Sequence, residues 1–263
     1  MNAPRQGRGE LRERPRTACS RNPRGAGNCA SDPRLPAPGT GSGPRGGYPS
    51  PMPPEDAYTA TPFLPSRGSL TALREAAAAC RGCPLHRAAT QTVFGTGKAT
   101  ARVMLVGEQP GDQEDRQGAP FVGPAGNLLD RALADAGIDL AEAYLTNAVK
   151  HFKFTQSEPR KRRIHKAPTL REMTACAPWL AAELAAVEPE LLVVLGATAG
   201  KALLGNSFRV TRVRGTLLEE EIHGRPQRLV PTVHPSAVLR SDDRDAAYRG
   251  LVSDLEVAAR ALE

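Results

Sequence analysis

Residues 101–115, ARVMLVGEQPGDQED, decide the architecture. Val103 to Val106 form a short apolar run closed by Gly107, which reads as a strand buried on both faces, as in a parallel sheet. Gly107, Pro110 and Gly111 then make a tight turn that presents Glu108 and Gln109 directly after the strand. The turn is no phosphate loop: the pattern GxxxxGKS/T is absent, and the acidic residues would repel a phosphate.

Working outward from this strand, helical and strand patterns alternate. SLTALREAAAAC (69–80) is a helix opened by a serine cap, and NLLDRALADAG (127–137) is an amphipathic helix stopped by Gly137. AYLTNAVK (143–150) and PELLVVLG (189–196) are further buried strands. TLREMTACAPWLAAELAAV (169–187) is a long helix in which Pro178 is expected to cause a kink or a break. ATAGKALLG (197–205) is a helix closed by Gly205, GTLLEEEI (215–222) an edge strand, QRLVPTVHPS (227–236) a fourth central strand, and the C-terminus a helix. This alternation predicts a three-layer α/β/α domain with a mostly parallel, four-stranded central sheet. Ligands of such folds sit beyond the carboxyl ends of the strands, where GEQPGDQED, Asn147 and His234 all fall.

Residues 1–66 differ in kind. They hold 13 Pro and 9 Gly with almost no periodic apolar pattern, too little to offset chain entropy, so the segment is expected to be disordered. Met52 as the natural start is the other reading of its composition. The segment has nine Arg against five acidic residues, a net of +4 of the chain's +7. The basic balance is therefore mostly a property of the tail, and the domain is read as 67–263. No apolar run approaches the ~18 residues of a membrane span and the N-terminus has no apolar signal core, so a cytoplasmic protein is expected. Five cysteines without an export signal point to metal or catalytic use rather than disulfides; Cys19 and Cys29 lie in the tail.

One local cluster stands out in the domain: KRRIHK (161–166) sets His165 among Lys161, Arg162, Arg163 and Lys166. Neighbouring cations disfavour protonation and would keep the imidazole neutral, and the same cations suit a polyanion. A nucleophile beside a phosphate track and a solvated basic loop with an incidental histidine are both compatible with the stretch alone. Phe121, between small residues, would either stack on a planar ligand or fill the core.

The blocks GEQPGDQED…PFVGPAG, LTNAVK and VHPS, in this order, resemble the uracil-DNA glycosylase superfamily, and in particular its iron–sulfur branch. The likeness runs from about Cys80 to the C-terminus. KRRIH resembles the insertion of the UdgX type, which traps uracil-DNA covalently. The resemblance implies uracil-containing DNA as partner, single- or double-stranded, and a base extruded into a pocket. Phe121 then stacks on the base, Asn147 reads its polar edge with an amide that both donates and accepts, and His234 stabilises charge on the leaving base. His165 attacks the sugar C1′, Glu108 orients it and takes its proton, and Arg163 holds the loop or a phosphate. Gln109 stands where ordinary iron–sulfur relatives carry the small residue of GEAPG, a departure that agrees with the trapping branch. The competing reading is a hydrolase that releases uracil over many turnovers, with Glu108 directing water and KRRIH gripping phosphate.

The resemblance also implies a 4Fe–4S cluster. Cys80 and Cys83 form a CxxC, Cys176 is a third thiol, and His151 occupies the position of the family's remaining cysteine. A Cys80, Cys83, His151, Cys176 ligand set follows, and histidine ligation of such clusters is feasible. Zinc in the same four sites fits the spacing equally. Nothing in the chain suggests an interface helix or coiled coil, and a monomer is expected.

Overall fold

The computed structural model describes residues 58–66, 68–158 and 161–263. Most of the segment expected to be disordered, with Met52, Cys19 and Cys29, lies outside the described residues. Residues 58–66, however, belong to the fold: the Ala60 amide donates to the Ala175 carbonyl at 2.8 Å, and Ala60 is buried. The ordered domain thus includes residues that the composition assigned to the tail, because one buried alanine and one backbone bond leave no periodic signal.

In chain order the elements are α1 (Leu70–Ala77), β1 (Val103–Gly107), α2 (Asp112–Gln117), α3 (Pro124–Asp135), β2 (Ala143–Asn147), β3 (Phe154–Thr155) and β4 (Ile164–His165). There follow α4 (Leu170–Val187), β5 (Leu191–Leu195), α5 (Gly196–Leu204), α6 (Val210–Val213), β6 (Leu218–Ile222), β7 (Arg225–Thr232), α7 (Pro235–Leu239) and α8 (Arg244–Leu262). The main sheet runs β2-β1-β5-β7-β6, parallel except for β6, which pairs antiparallel with β7. It has five strands where four central ones were expected. The fifth is the edge strand, whose exposed Glu219, Glu220 and Glu221 belong to a hairpin rather than to the buried core.

Alternation along the strands sorts the core into two layers. Met104, Val106, Tyr144, Leu192, Val194 and Leu229 face α1, α4 and α5. Val103, Leu105, Leu145, Val193, Leu195 and Val230 face α3 and α8. Each strand therefore reads as continuously apolar because both of its faces are covered. The expected ends hold: Ser69 Oγ accepts from the Ala72 amide, and Gly137 and Gly205 adopt positive φ after α3 and α5; Asp243 caps α8 in addition. Pro178 does not divide α4, which runs unbroken through it. The helix is held by its buried side, with Trp179, Leu180 and Cys176 in the core, and this packing outweighs the missing amide donor.

β3 and β4 form a separate two-stranded antiparallel hairpin, Phe154 opposite His165 and Thr155 opposite Ile164. It stands between β2 and α4, at the carboxyl end of the sheet.

Candidate active site

The carboxyl ends of β1, β2, β5 and β7 open onto a cleft of about 1210 Å³. Glu108, Gln109, Phe121, Asn147, Arg163, His165 and His234 all line it, so residues spread over more than a hundred positions of sequence meet at one rim.

Two glycines make the floor. Gly107 lies in register with Asn147, and a Cβ there would meet Asn147 Oδ1 and come within 2.7 Å of Phe121 Cζ. Gly126, on the first turn of α3, lies so near the Phe121 carbonyl that a Cβ would collide with it. Phe121 itself has φ 57°, a left-handed conformation that an aromatic residue adopts only when its surroundings impose it. Its ring stacks on the His234 ring, centroids 6.4 Å apart and planes 27° from parallel. Asn147 is buried at the end of β2.

His234 has a definite tautomer. Its Nδ1 accepts from the Ser236 amide at 3.1 Å and lies 2.9 Å from Ser236 Oγ. A backbone N–H must donate, so Nδ1 carries the lone pair and the ring proton is on Nε2. Burial, reinforced by the nearby Arg240 guanidinium and the His165 ring, pushes the His234 pKa down from 6.5 to about 4. At neutral pH His234 is therefore an uncharged N–H donor.

The hairpin carries the second histidine. His165, half exposed, places Nε2 3.3 Å from Glu108 Oε1. The alignment does not make a hydrogen bond, and Glu108 Oε1 is a buried oxygen without one. Behind His165 the hairpin is clamped. Gln109 Nε2 donates to the carbonyls of Lys153 and Lys166, at 3.2 and 3.0 Å, and Gln109 Oε1 accepts from the Lys153 amide at 3.1 Å. Both functional ends of this buried amide are thus occupied by backbone, and Gln109 braces the two strand ends.

Arg163 is likewise used inside the protein. Its guanidinium bonds Asp112, donates to Asp115 Oδ2 at 2.6 Å, and lies over the rings of Phe152 and Phe154 at 5.3 and 4.8 Å. Of its two expected roles, holding the loop is the one its contacts support; a phosphate would find the guanidinium occupied. The charge cluster around His165 is also partly balanced: Arg163 by Asp112 and Asp115, and Lys161 by Glu158 at 2.7 Å.

Three residues here were not singled out from the sequence. Asp115 is fully buried, accepts from the Thr90 amide as well as from Arg163, and looked like one of several acidic loop residues. Glu114 ties the two glycine turns together, accepting from the amides of Gly111 and Gly123 at 3.0 and 2.9 Å. Lys150 is buried against Glu183 at 2.5 Å, and its ammonium also donates to the Asn147 carbonyl at 2.7 Å. The visible signal was a lysine three residues after Asn147 in a strand end otherwise apolar.

The expected metal ligands lie on the far side of this segment. Cys80, Cys83 and Cys176 are buried and unpaired. Burial above all raises the pKa of Cys83 to about 11, with Cys80 adding to it, and that of Cys176 to about 12, with Cys80 and Cys83 adding to it. Their sulfurs accept hydrogen bonds: Trp179 Nε1 donates to Cys80 Sγ at 3.2 Å and the Lys150 amide to Cys176 Sγ at 3.3 Å. His151 is buried, with Nε2 3.0 Å from Thr92 Oγ1. Among the described residues no three His, Cys, Asp or Glu side chains gather closely enough to hold a single ion.

Comparison with known proteins agrees with this fold and cleft. Residues 94–256 match the Uracil DNA glycosylase superfamily, and the chain belongs to that superfamily. It is 37% identical over 180 residues to the Type-4 uracil-DNA glycosylase of Thermotoga maritima, covering 68% of this chain and 87% of that protein. It is 36% identical over 165 residues to the Type-4 uracil-DNA glycosylase of Archaeoglobus fulgidus, covering 61% and 78%. A Type-4 uracil-DNA glycosylase of Pyrobaculum aerophilum is 35% identical over 175 residues, covering 65% and 85%.

Proposed function

We propose that this protein binds uracil-containing DNA, cleaves the N-glycosidic bond of the extruded uridine, and captures the sugar through His165. Uracil enters the cleft and stacks on Phe121, and the Asn147 amide reads its donor–acceptor edge. As the C1′–N1 bond breaks, its electron pair leaves with the base. Neutral His234 donates its Nε2–H to the developing negative charge, and needs no proton from solvent to do so. A ring nitrogen of His165 then supplies its lone pair to C1′, and the proton on the other nitrogen passes to Glu108. The uracil anion takes a proton from water. What remains is a neutral alkylated imidazole with no good leaving group.

The observation that carries this reading is the placement of His165 Nε2 3.3 Å from a buried, unpartnered Glu108 oxygen at the mouth of the cleft. An oxygen of that kind is costly unless something arrives to use it. The hydrolytic alternative uses the same oxygen to hold a water for many turnovers, and the similarity to Type-4 uracil-DNA glycosylases supports it for the cleavage step.

Cys80, Cys83 and Cys176, with His151 as fourth ligand, would hold a 4Fe–4S cluster. Three buried, unpaired thiols fit such a group, and Trp179 and the Lys150 amide would donate to its thiolates. Its part would be structural, tying α1 and α4 to the segment that carries Asn147 and the hairpin.

Counting uracil released per protein molecule tests the proposal. A burst of one uracil per chain that then stops is expected for the wild type, and continued release from His165→Ala, with water replacing the ring. Many turnovers by the wild type would favour the hydrolase instead.

A further inference from the structure

The hairpin that carries His165 also presents an apolar side chain to solvent. Ile164 is the most exposed large apolar residue among those described, at 58%, and it lines the same cleft. Its neighbours in the chain are both engaged, Arg163 with Asp112 and Asp115 and His165 beside Glu108. Its backbone is fixed by the pairing with Thr155, by the bond from the Lys166 amide to the Lys153 carbonyl, and by the Gln109 clamp. A β-branched side chain on so rigid a support has few rotamers and points one way.

Among the described residues, no other large apolar side chain lining the cleft is exposed. Val238, after His234, is 2% exposed and packs in the core, and Leu239 packs against the same layer. Phe121 and Leu195 are buried. Next to Ile164, Arg162 is exposed and has no ion pair or hydrogen bond among the described residues, so a cation stands ready for a backbone phosphate.

We propose that Ile164 is the wedge of this protein: it enters the base stack beside the uracil and holds open the space that the extruded nucleotide vacates. Apolar wedges of this kind offset unstacking in duplexes, whereas a single strand has little stacking to break. The assignment rests on the glycosylase reading above and makes Ile164 a determinant of which strand context is accepted.

The test compares wild type, Ile164→Ala and Ile164→Leu on one uracil placed in a single strand, opposite guanine and opposite adenine. The readout is free uracil in a single turnover, which counts cleavage whether or not His165 captures the sugar. Loss of the wedge is expected to slow release from both duplexes on the order of tenfold, most opposite adenine, and from the single strand less than about twofold, with leucine restoring the duplex rate. Equal slowing on all three substrates would reduce Ile164 to loop support, and unchanged duplex rates would leave it no role; either overturns the proposal. Wild type that releases no uracil from any substrate would instead refute the glycosylase reading, and the wedge with it.

Discussion

His234 makes the stability of this protein depend on pH in a way that can be isolated. Its pKa is pushed from 6.5 down to about 4, chiefly by burial and secondarily by the neighbouring Arg240 guanidinium and the His165 ring. The folded protein therefore refuses a proton that the unfolded chain accepts. Above pH 6.5 the ring is neutral in both states and nothing is lost. As pH falls from 6.5 to about 4 the unfolded state gains protons first, so stability declines, and below about 4 both states are charged and the decline stops. The gap between 6.5 and about 4 corresponds to about 3 kcal/mol. His234→Gln removes the titration while leaving an amide near Ser236. Urea unfolding of both proteins at steps between pH 7.5 and pH 4 measures the difference in stability between them. That difference should shift against the wild type by about 3 kcal/mol across the range, nearly all of it between pH 6.5 and 4. A difference that stays constant with pH would refute both the burial argument and the neutral-donor role derived from it.

Two further perturbations probe the support of the site. Lys150→Met strands the Glu183 carboxylate in the core and frees the Asn147 carbonyl, and should cost about 3–5 kcal/mol in chemical denaturation, with Lys150→Met/Glu183→Leu recovering part of it. Gly126→Ala drives a methyl into the Phe121 carbonyl; a loss of about 1–3 kcal/mol is expected, together with slower uracil release because the stacking ring is displaced.

The sequence made the sheet legible because each central strand is buried on both faces, so Val103–Val106 and Leu191–Leu195 are uninterrupted apolar runs. The glycines and the serine cap marked helix ends for the same physical reason that they form them. The cleft residues were legible only through three short blocks that fall at strand ends. What escaped notice were groups whose partners are distant in sequence. Gln109 stood out as a departure from the small residue of GEAPG, but nothing local shows that its amide faces backbone some forty to sixty residues away. Arg163 was read as holding the loop or a phosphate, and nothing local tells that Asp112 and Asp115 wait fifty residues upstream. Tyr58 to Ser66 were hidden by the proline-rich composition of the residues before them, and α2 by its length of six residues.

The central claim is that His165 forms a bond to the sugar. The direct measurement is to react the protein with a uracil-containing oligonucleotide, denature it in hot detergent, isolate the slow-migrating species, and map the modified peptide by mass spectrometry. The account predicts a DNA-linked product, minus uracil, with the sugar attached to His165, and no such species from His165→Ala. Free abasic DNA with unmodified protein, or a linkage to any other residue, would contradict it.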